Sequence, residues 1–229
     1  MTDVSFAWPG RRQFTLTIEA FALAKGERML LVGPSGSGKS TFLSLLTGIV
    51  AADAGQIEVL GTDLGKLRGA ERDRFRAEHF GIIFQLFNLL PYGSVLDNVI
   101  LPLSFSTRRR ERASAHGGAG AEAARLLQRL GLDGLLNDGV RASYLSVGQQ
   151  QRVAAARALI GAPELIVADE PTSSLDRDHQ LAFLDLLFAD LEKAGTTLIM
   201  VSHDETLAPR FSRVAQLSDF ARIESGDAA

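Results

Sequence analysis

The nine residues GPSGSGKST (33–41) constrain this chain more than any others. They follow a short apolar run, RMLLV (28–32), and lead into helical patterning from about Lys39 to Thr47. The pattern G-x-x-x-x-G-K-[ST] in a strand, turn and helix is a phosphate cradle of the P-loop type. Gly33, Gly36 and Gly38 let the backbone turn so that successive N–H groups converge on one anion. The helix start adds its dipole, and Ser35 and Ser37 complete the loop. Lys39 is placed to reach the β- and γ-phosphates of a nucleotide, Ser40 to bind Mg2+, and Thr41 to serve the α-phosphate. Chance produces such a match in roughly one chain in a hundred of this length, and the strand-then-helix context lowers that further.

The runs FGIIF (80–84), ELIVA (164–168) and TTLIMVS (196–202) also read as buried strands. Continuous apolar strands between helices predict an α/β class with a mainly parallel sheet covered on both faces. The first ~60 residues differ: DVSFAW, QFTLTIEA and GQIEVLG alternate like antiparallel strands. Helices are expected at Gly69–Glu78, Ser94–Leu101, in a long stretch ending near Leu130, and at Val147–Ile160. TRRRERASAHGGAG (107–120) reads as a solvated, mobile loop, and the tail ESGDAA as frayed. The chain has 229 residues and no cysteine, so disulfides and thiolate metal sites are excluded. No signal peptide and no run of ~18–20 apolar residues is visible, so a soluble chain is expected, with any membrane span supplied by another chain. A net charge of −3 speaks against a dedicated nucleic-acid binder.

LIVADEPTSSLD (165–176) places Asp169 and Glu170 at the carboxyl end of a predicted strand, where parallel α/β sheets bind ligands. Two adjacent carboxylates there call for a cation. Asp169 suits Mg2+, and Glu170 suits the polarising of an attacking water as general base. A second helix start, YLSVGQQQ (144–151), has Ser146 and Gln149 at capping-box spacing. Yet Gly148 sits in its first turn, where glycine weakens a helix by roughly 0.5–1 kcal/mol.

Taken in order, the P-loop, Gln85 after GIIF, LSVGQ, the apolar run into Asp169–Glu170, SSLD and a histidine after the last strand resemble the ATP-binding subunit of ABC transporters. The resemblance spans about Val4 to Ile223. It implies a P-loop core with an N-terminal antiparallel β subdomain (residues 1–85 and 162–229) and an inserted helical subdomain (86–161). It also implies a homodimer in which two chains face head to tail. Each ATP is then closed by the other chain's Ser146, Gly148 and Gln149, which gives Gly148 a purpose: backbone N–H groups can approach a γ-phosphate closely. By the same resemblance Trp8 stacks on adenine and Gln85 contacts Mg2+ and the attacking water. Asp176 communicates across the dimer, and His203 stands near the γ-phosphate.

The commonest family signature has glycine where this chain has Val147, and no proline precedes it; activity is expected to survive. FQLFNLLPYGSVLDNVILPL and ADEPTSSLD are similar to the lipoprotein-release and macrolide-efflux branch. That implies ATP and Mg2+ as cofactors and a peripheral position on the cytoplasmic face of the inner membrane. It also implies a permease contacting Gln85 to Leu103, with Leu89 and Leu90 as test positions, and periplasmic partners through that permease. Other readings are a membrane regulator of cell-wall enzymes that transports nothing and, without zinc cysteines or a coiled-coil insertion to support it, a nucleic-acid ATPase. The cargo is not written in this chain.

Overall fold

The computed structural model describes residues 1–9, 14–135 and 139–225. Its centre is a five-stranded parallel sheet ordered β10-β3-β9-β8-β7. These strands are β3 (Arg28–Val32), β7 (Phe80–Ile83), β8 (Leu165–Asp169), β9 (Thr197–Ser202) and β10 (Arg213–Gln216). All four expected buried strands form, each within a residue or two of its predicted bounds. The reason is visible in the packing. Leu30, Val32, Ile166, Ala168, Leu198 and Met200 enter one core, while Met29, Leu31, Leu165, Val167, Ile199 and Val201 enter a second on the other face. A strand buried on both sides has no polar positions to spare, so its sequence is an unbroken apolar run.

The second core is roofed by α1 (Lys39–Leu46) and by an antiparallel sheet ordered β11-β2-β1-β4. Its strands are β1 (Thr2–Ala7), β2 (Phe14–Ala20), β4 (Ala54–Gln56) and β11 (Ala221–Ser225), and a short hairpin of β5 (Glu58–Val59) and β6 (Thr62–Asp63) lies nearby. The expected antiparallel character of the first sixty residues is therefore present. The tail departs from expectation, since Glu224 and Ser225 pair with Thr15 and Phe14. Residues 226–229 lie outside the described residues.

Helices α3 (Val95–Ile100), α4 (Thr107–Ser114), α5 (Ala119–Arg129), α6 (Val147–Leu159) and α7 (Arg177–Ala194) cover the first core, while α2 (Gly69–His79) sets Phe75 against the second. Buried residues of α3, α5, α6 and α7 join the strands in one continuous core, so these helices pack directly on the sheet.

Two expectations are corrected here. The long helix ending near Leu130 is two helices, broken around Gly117 and Gly118, whose φ angles are 91° and 99°. The supposed loop at 107–120 is largely helix α4 and the start of α5. Ser106 caps α4 by accepting from the Arg109 N–H at 3.1 Å. Arg109, in the middle of the basic run, is only 2% exposed. Its guanidinium donates to the carbonyls of Ala158 and Ile160 at the end of α6 and of Phe80 at the end of α2. Those are helix C-termini, rich in orphan carbonyls and carrying negative partial charge, so a cation without a carboxylate is satisfied there. Burial lowers its pKa to about 10. At Gly161 a Cβ would come within 2.6 Å of the Arg109 Cβ and carbonyl oxygen, which is why the chain must be bare where it passes the α4 backbone.

Candidate nucleotide site

Gly38 starts the site. It is the N-cap of α1 with φ 81°, and a Cβ there would lie 2.8 Å from Ile223 of β11 and 3.3 Å from Leu217. The loop 33–38 is thus wedged between α1 and the end of the antiparallel sheet. Lys39 follows, 7% exposed. Its ammonium donates to the carbonyls of Gly33 (2.8 Å) and Pro34 (2.7 Å) and to the Ser37 hydroxyl (3.3 Å). Among the described residues no carboxylate pairs with it. A buried cation held only by the dipoles of its own loop is a strong attractor for an anion. Thr41 is buried, and its hydroxyl accepts from the Trp8 indole N–H at 3.1 Å. Trp8 stands edge-on to Phe6, ring centres 5.1 Å apart, so the half-buried indole borders the cradle.

Strands β8 and β9 deliver the acidic side. Asp169 ends β8 and accepts from the Ser40 hydroxyl at 2.9 Å. Burial pushes its carboxyl up; the Ser40 hydrogen bond opposes this, the Glu170 charge adds to it and the Lys39 charge opposes it. Glu170 follows with φ 49°, a left-handed backbone that a glutamate adopts only under constraint. Its N–H donates to the Val201 carbonyl at 3.1 Å, and its carboxylate meets His203 Nδ1 at 2.7 Å. The strained φ turns the carboxylate toward the end of β9. Gln85 is exposed just past β7, on the same sheet edge.

So the structure brings Gly33, Ser35, Gly36, Ser37, Gly38, Lys39, Ser40, Thr41, Trp8, Gln85, Asp169, Glu170 and His203 to one edge of the parallel sheet and the α1 start behind it. Ser146, Gly148 and Gln149 form a separate site at the start of α6. The capping box forms there: Ser146 accepts from Gln149 N–H at 3.3 Å, and Gln149 Oε1 accepts from Ser146 N–H at 2.9 Å. Gly148 has no left-handed φ, and a Cβ added to it would meet nothing closer than Leu175 at 3.9 Å. Nothing inside the chain requires a glycine there. Asp176 caps α7, accepting from His179 N–H at 3.0 Å and facing His179 Nδ1 at 2.8 Å. Hydrogen bonds from His179 hold its carboxyl below the usual carboxylate range.

A cavity of about 990 Å3 opens at the opposite sheet edge, lined by Phe21, Leu23, Val59 and Leu165 among others, and shares no residue with this cluster. Sequence reading also passed over Arg157 on α6. Its signal was a lone arginine in VAAARALIG, otherwise all small and apolar.

Known proteins give the same picture. The ABC transporter family profile matches residues 17–173. The Escherichia coli ABC transporter ATP-binding protein YbbA, described as uncharacterized, is 43% identical over 202 residues, covering 88% of this chain and 85% of that protein. The lipoprotein-releasing system ATP-binding protein LolD 2 of Rhodospirillum rubrum is 41% identical, covering 87% and 84%. The macrolide export ATP-binding/permease protein MacB of Chromobacterium violaceum is 41% identical, but the chain matches only 29% of its length. Among solved structures, a dimeric post-hydrolysis state of the cassette MJ0796 bound to ADP and Pi superposes with a TM-score of 0.79 at 30% identity, covering 100% of this chain and 98% of that one.

Proposed function

The chain belongs to the ABC transporter family, as an ATP-binding cassette that hydrolyses ATP, and on that premise we propose how its residues do so. The observation that carries the reading is the buried Lys39 ammonium, held by loop oxygens alone and facing the sheet edge where Asp169 and Glu170 emerge. Phosphate oxygens replace those loop carbonyls as its partners. Trp8 receives the adenine.

The donor set fits Mg2+. Ser40 and Asp169 offer hard oxygens already in contact, and burial leaves the Asp169 charge in want of a counter-charge. Among the described residues no group of three or more His, Asp or Glu side chains could hold a metal by itself. Ser40, Asp169 and Gln85 would hold the ion, and it would supply positive charge to offset that of the phosphates. Glu170 accepts the proton of the attacking water. His203 orients that carboxylate through their 2.7 Å contact.

A second copy completes the site. Its Ser146–Gly148 helix start donates backbone N–H groups to the γ-phosphate, the use that the otherwise unexplained glycine supports. Asp176 communicates across the pair. No helix among the described residues is long and apolar enough to cross a membrane, and the cassette works on a membrane permease. LolD and MacB support a permease of the lipoprotein-release or macrolide-export type, reached from the cytoplasmic face. Leu86 and Tyr92, 82% and 75% exposed, support contact with it over the Gln85–Leu103 segment. The test is Glu170→Gln: hydrolysis falls by about 10²–10⁴-fold while ATP binding persists and dimers accumulate. An unchanged rate removes Glu170 from the chemistry.

A further inference from the structure

Arg157 lies deep in α6, 8% exposed, and burial lowers its pKa. Its guanidinium leaves α6 altogether. One nitrogen donates to the carbonyl of Asn88 at 2.6 Å and the other to that of Phe87. Both acceptors sit just past Gln85, and both have left-handed backbones, φ 59° at Phe87 and 48° at Asn88. Neither is glycine, and in that conformation the Cβ crowds the following carbonyl. Two consecutive residues of this kind persist only if something fixes them. The arginine does so: its planar fork needs two carbonyls turned the same way, which the left-handed pair presents.

α6 is a rigid rod, and Gly148 lies nine residues before Arg157, about 14 Å along the axis. Its start serves a second copy's nucleotide, while its Arg157 end grips the segment that carries Gln85 to this chain's own nucleotide. We propose that Arg157 is a positioning residue that links the two nucleotide sites of the dimer: movement of α6 on the partner's phosphate is transmitted through the guanidinium to Phe87–Asn88 and so to Gln85. This rests on the reading of Gln85 and of the α6 start given above. Lysine cannot replace the arginine, because one ammonium does not hold two carbonyls in a fixed plane.

The test uses the full chain with Arg157→Lys and, separately, Asn88→Val. The second change leaves α6 intact but places a β-branched residue at an exposed left-handed position. In the nucleotide-free protein, amide hydrogen exchange at 86–90 rises by about tenfold or more in both variants. Turnover falls by about tenfold to a hundredfold, as expected for a misplaced site group. The ATP dependence loses its cooperativity, while nucleotide binding stays at the wild-type level. Asn88→Gly, which tolerates the left-handed conformation freely, restores part of the turnover of Arg157→Lys. Wild-type exchange and turnover in a folded Arg157→Lys, or in Asn88→Val should the first variant not fold, overturn the proposal. A lowered melting temperature alone does the same. Gln85→Ala separates the two layers. If it leaves turnover intact, the reading of Gln85 fails; if it slows turnover and Arg157→Lys does not, only the link between the sites fails.

Discussion

Two glycines in similar motifs are held for opposite reasons. At Gly38 the chain itself demands glycine, through φ 81° and an Ile223 side chain 2.8 Å from the missing Cβ. Gly38→Ala should therefore cost about 1–3 kcal/mol of stability, read by urea unfolding. At Gly148 the space is open. Gly148→Ala should leave the protein as stable or up to about 1 kcal/mol more stable, since alanine is the better helix former. Its ATPase should nonetheless fall by at least about tenfold, because in the proposed dimer the methyl group would stand where the partner's phosphate is received. Equal activity in Gly148→Ala would show that the glycine serves neither fold nor catalysis. The glycine pattern of 33–38 and the capping box at Ser146 were legible in the sequence because both are local. The left-handed Glu170, Phe87 and Asn88 were not, because each is imposed by a residue far along the chain.

At the level of elements, α4 shows what composition hides. TRRRERAS looks solvated, yet Arg109 is a buried tie between the ends of α2 and α6. Only the arrival of two helix C-termini from elsewhere makes that site, so no local pattern announces it. Arg109→Met should cost about 3–5 kcal/mol, since several carbonyls lose their partner at once, measured by chemical denaturation. Beside it, Glu164 accepts from Arg112 and faces His79 Nδ1 at 3.1 Å, with Arg108 also in reach. Burial alone would raise the Glu164 carboxyl, but the hydrogen bonds from His79 and Arg112 and the Arg112 charge outweigh it and hold it at about 2. A depressed carboxylate pKa gives stability that is present above the unfolded value near 4.5 and lost as pH falls toward 2. Glu164→Gln should remove about 2–3 kcal/mol of acid-sensitive stability, flattening the melting-temperature profile across that window.

For the whole molecule, the parallel sheet was legible because both of its faces are buried. The surface proposed to face the permease takes different test positions once burial is known. Leu89 packs against the core, and the Leu90 backbone is bonded on both sides by Asn98, at 2.7 and 3.1 Å. Charging Leu89 would damage the fold, whereas Leu86 and Tyr92 are exposed. Leu86→Asp with Tyr92→Asp should keep basal ATPase within about twofold, since substitutions at exposed positions seldom disturb a fold. The acceleration of ATPase by reconstituted permease should disappear. Loss of basal and coupled rates together would place these residues in the fold instead.

The pairing of β11 with β2 has a consequence for synthesis. The wall behind Gly38 includes Ile223, near the far end of the chain, and Phe14, near its beginning. A nascent chain that has emerged only as far as α7 has its P-loop sequence but not the surface that shapes it. At about 5–20 residues per second, translation leaves that loop unsupported for several seconds. Deleting β11 would therefore disable a motif nearly two hundred residues upstream.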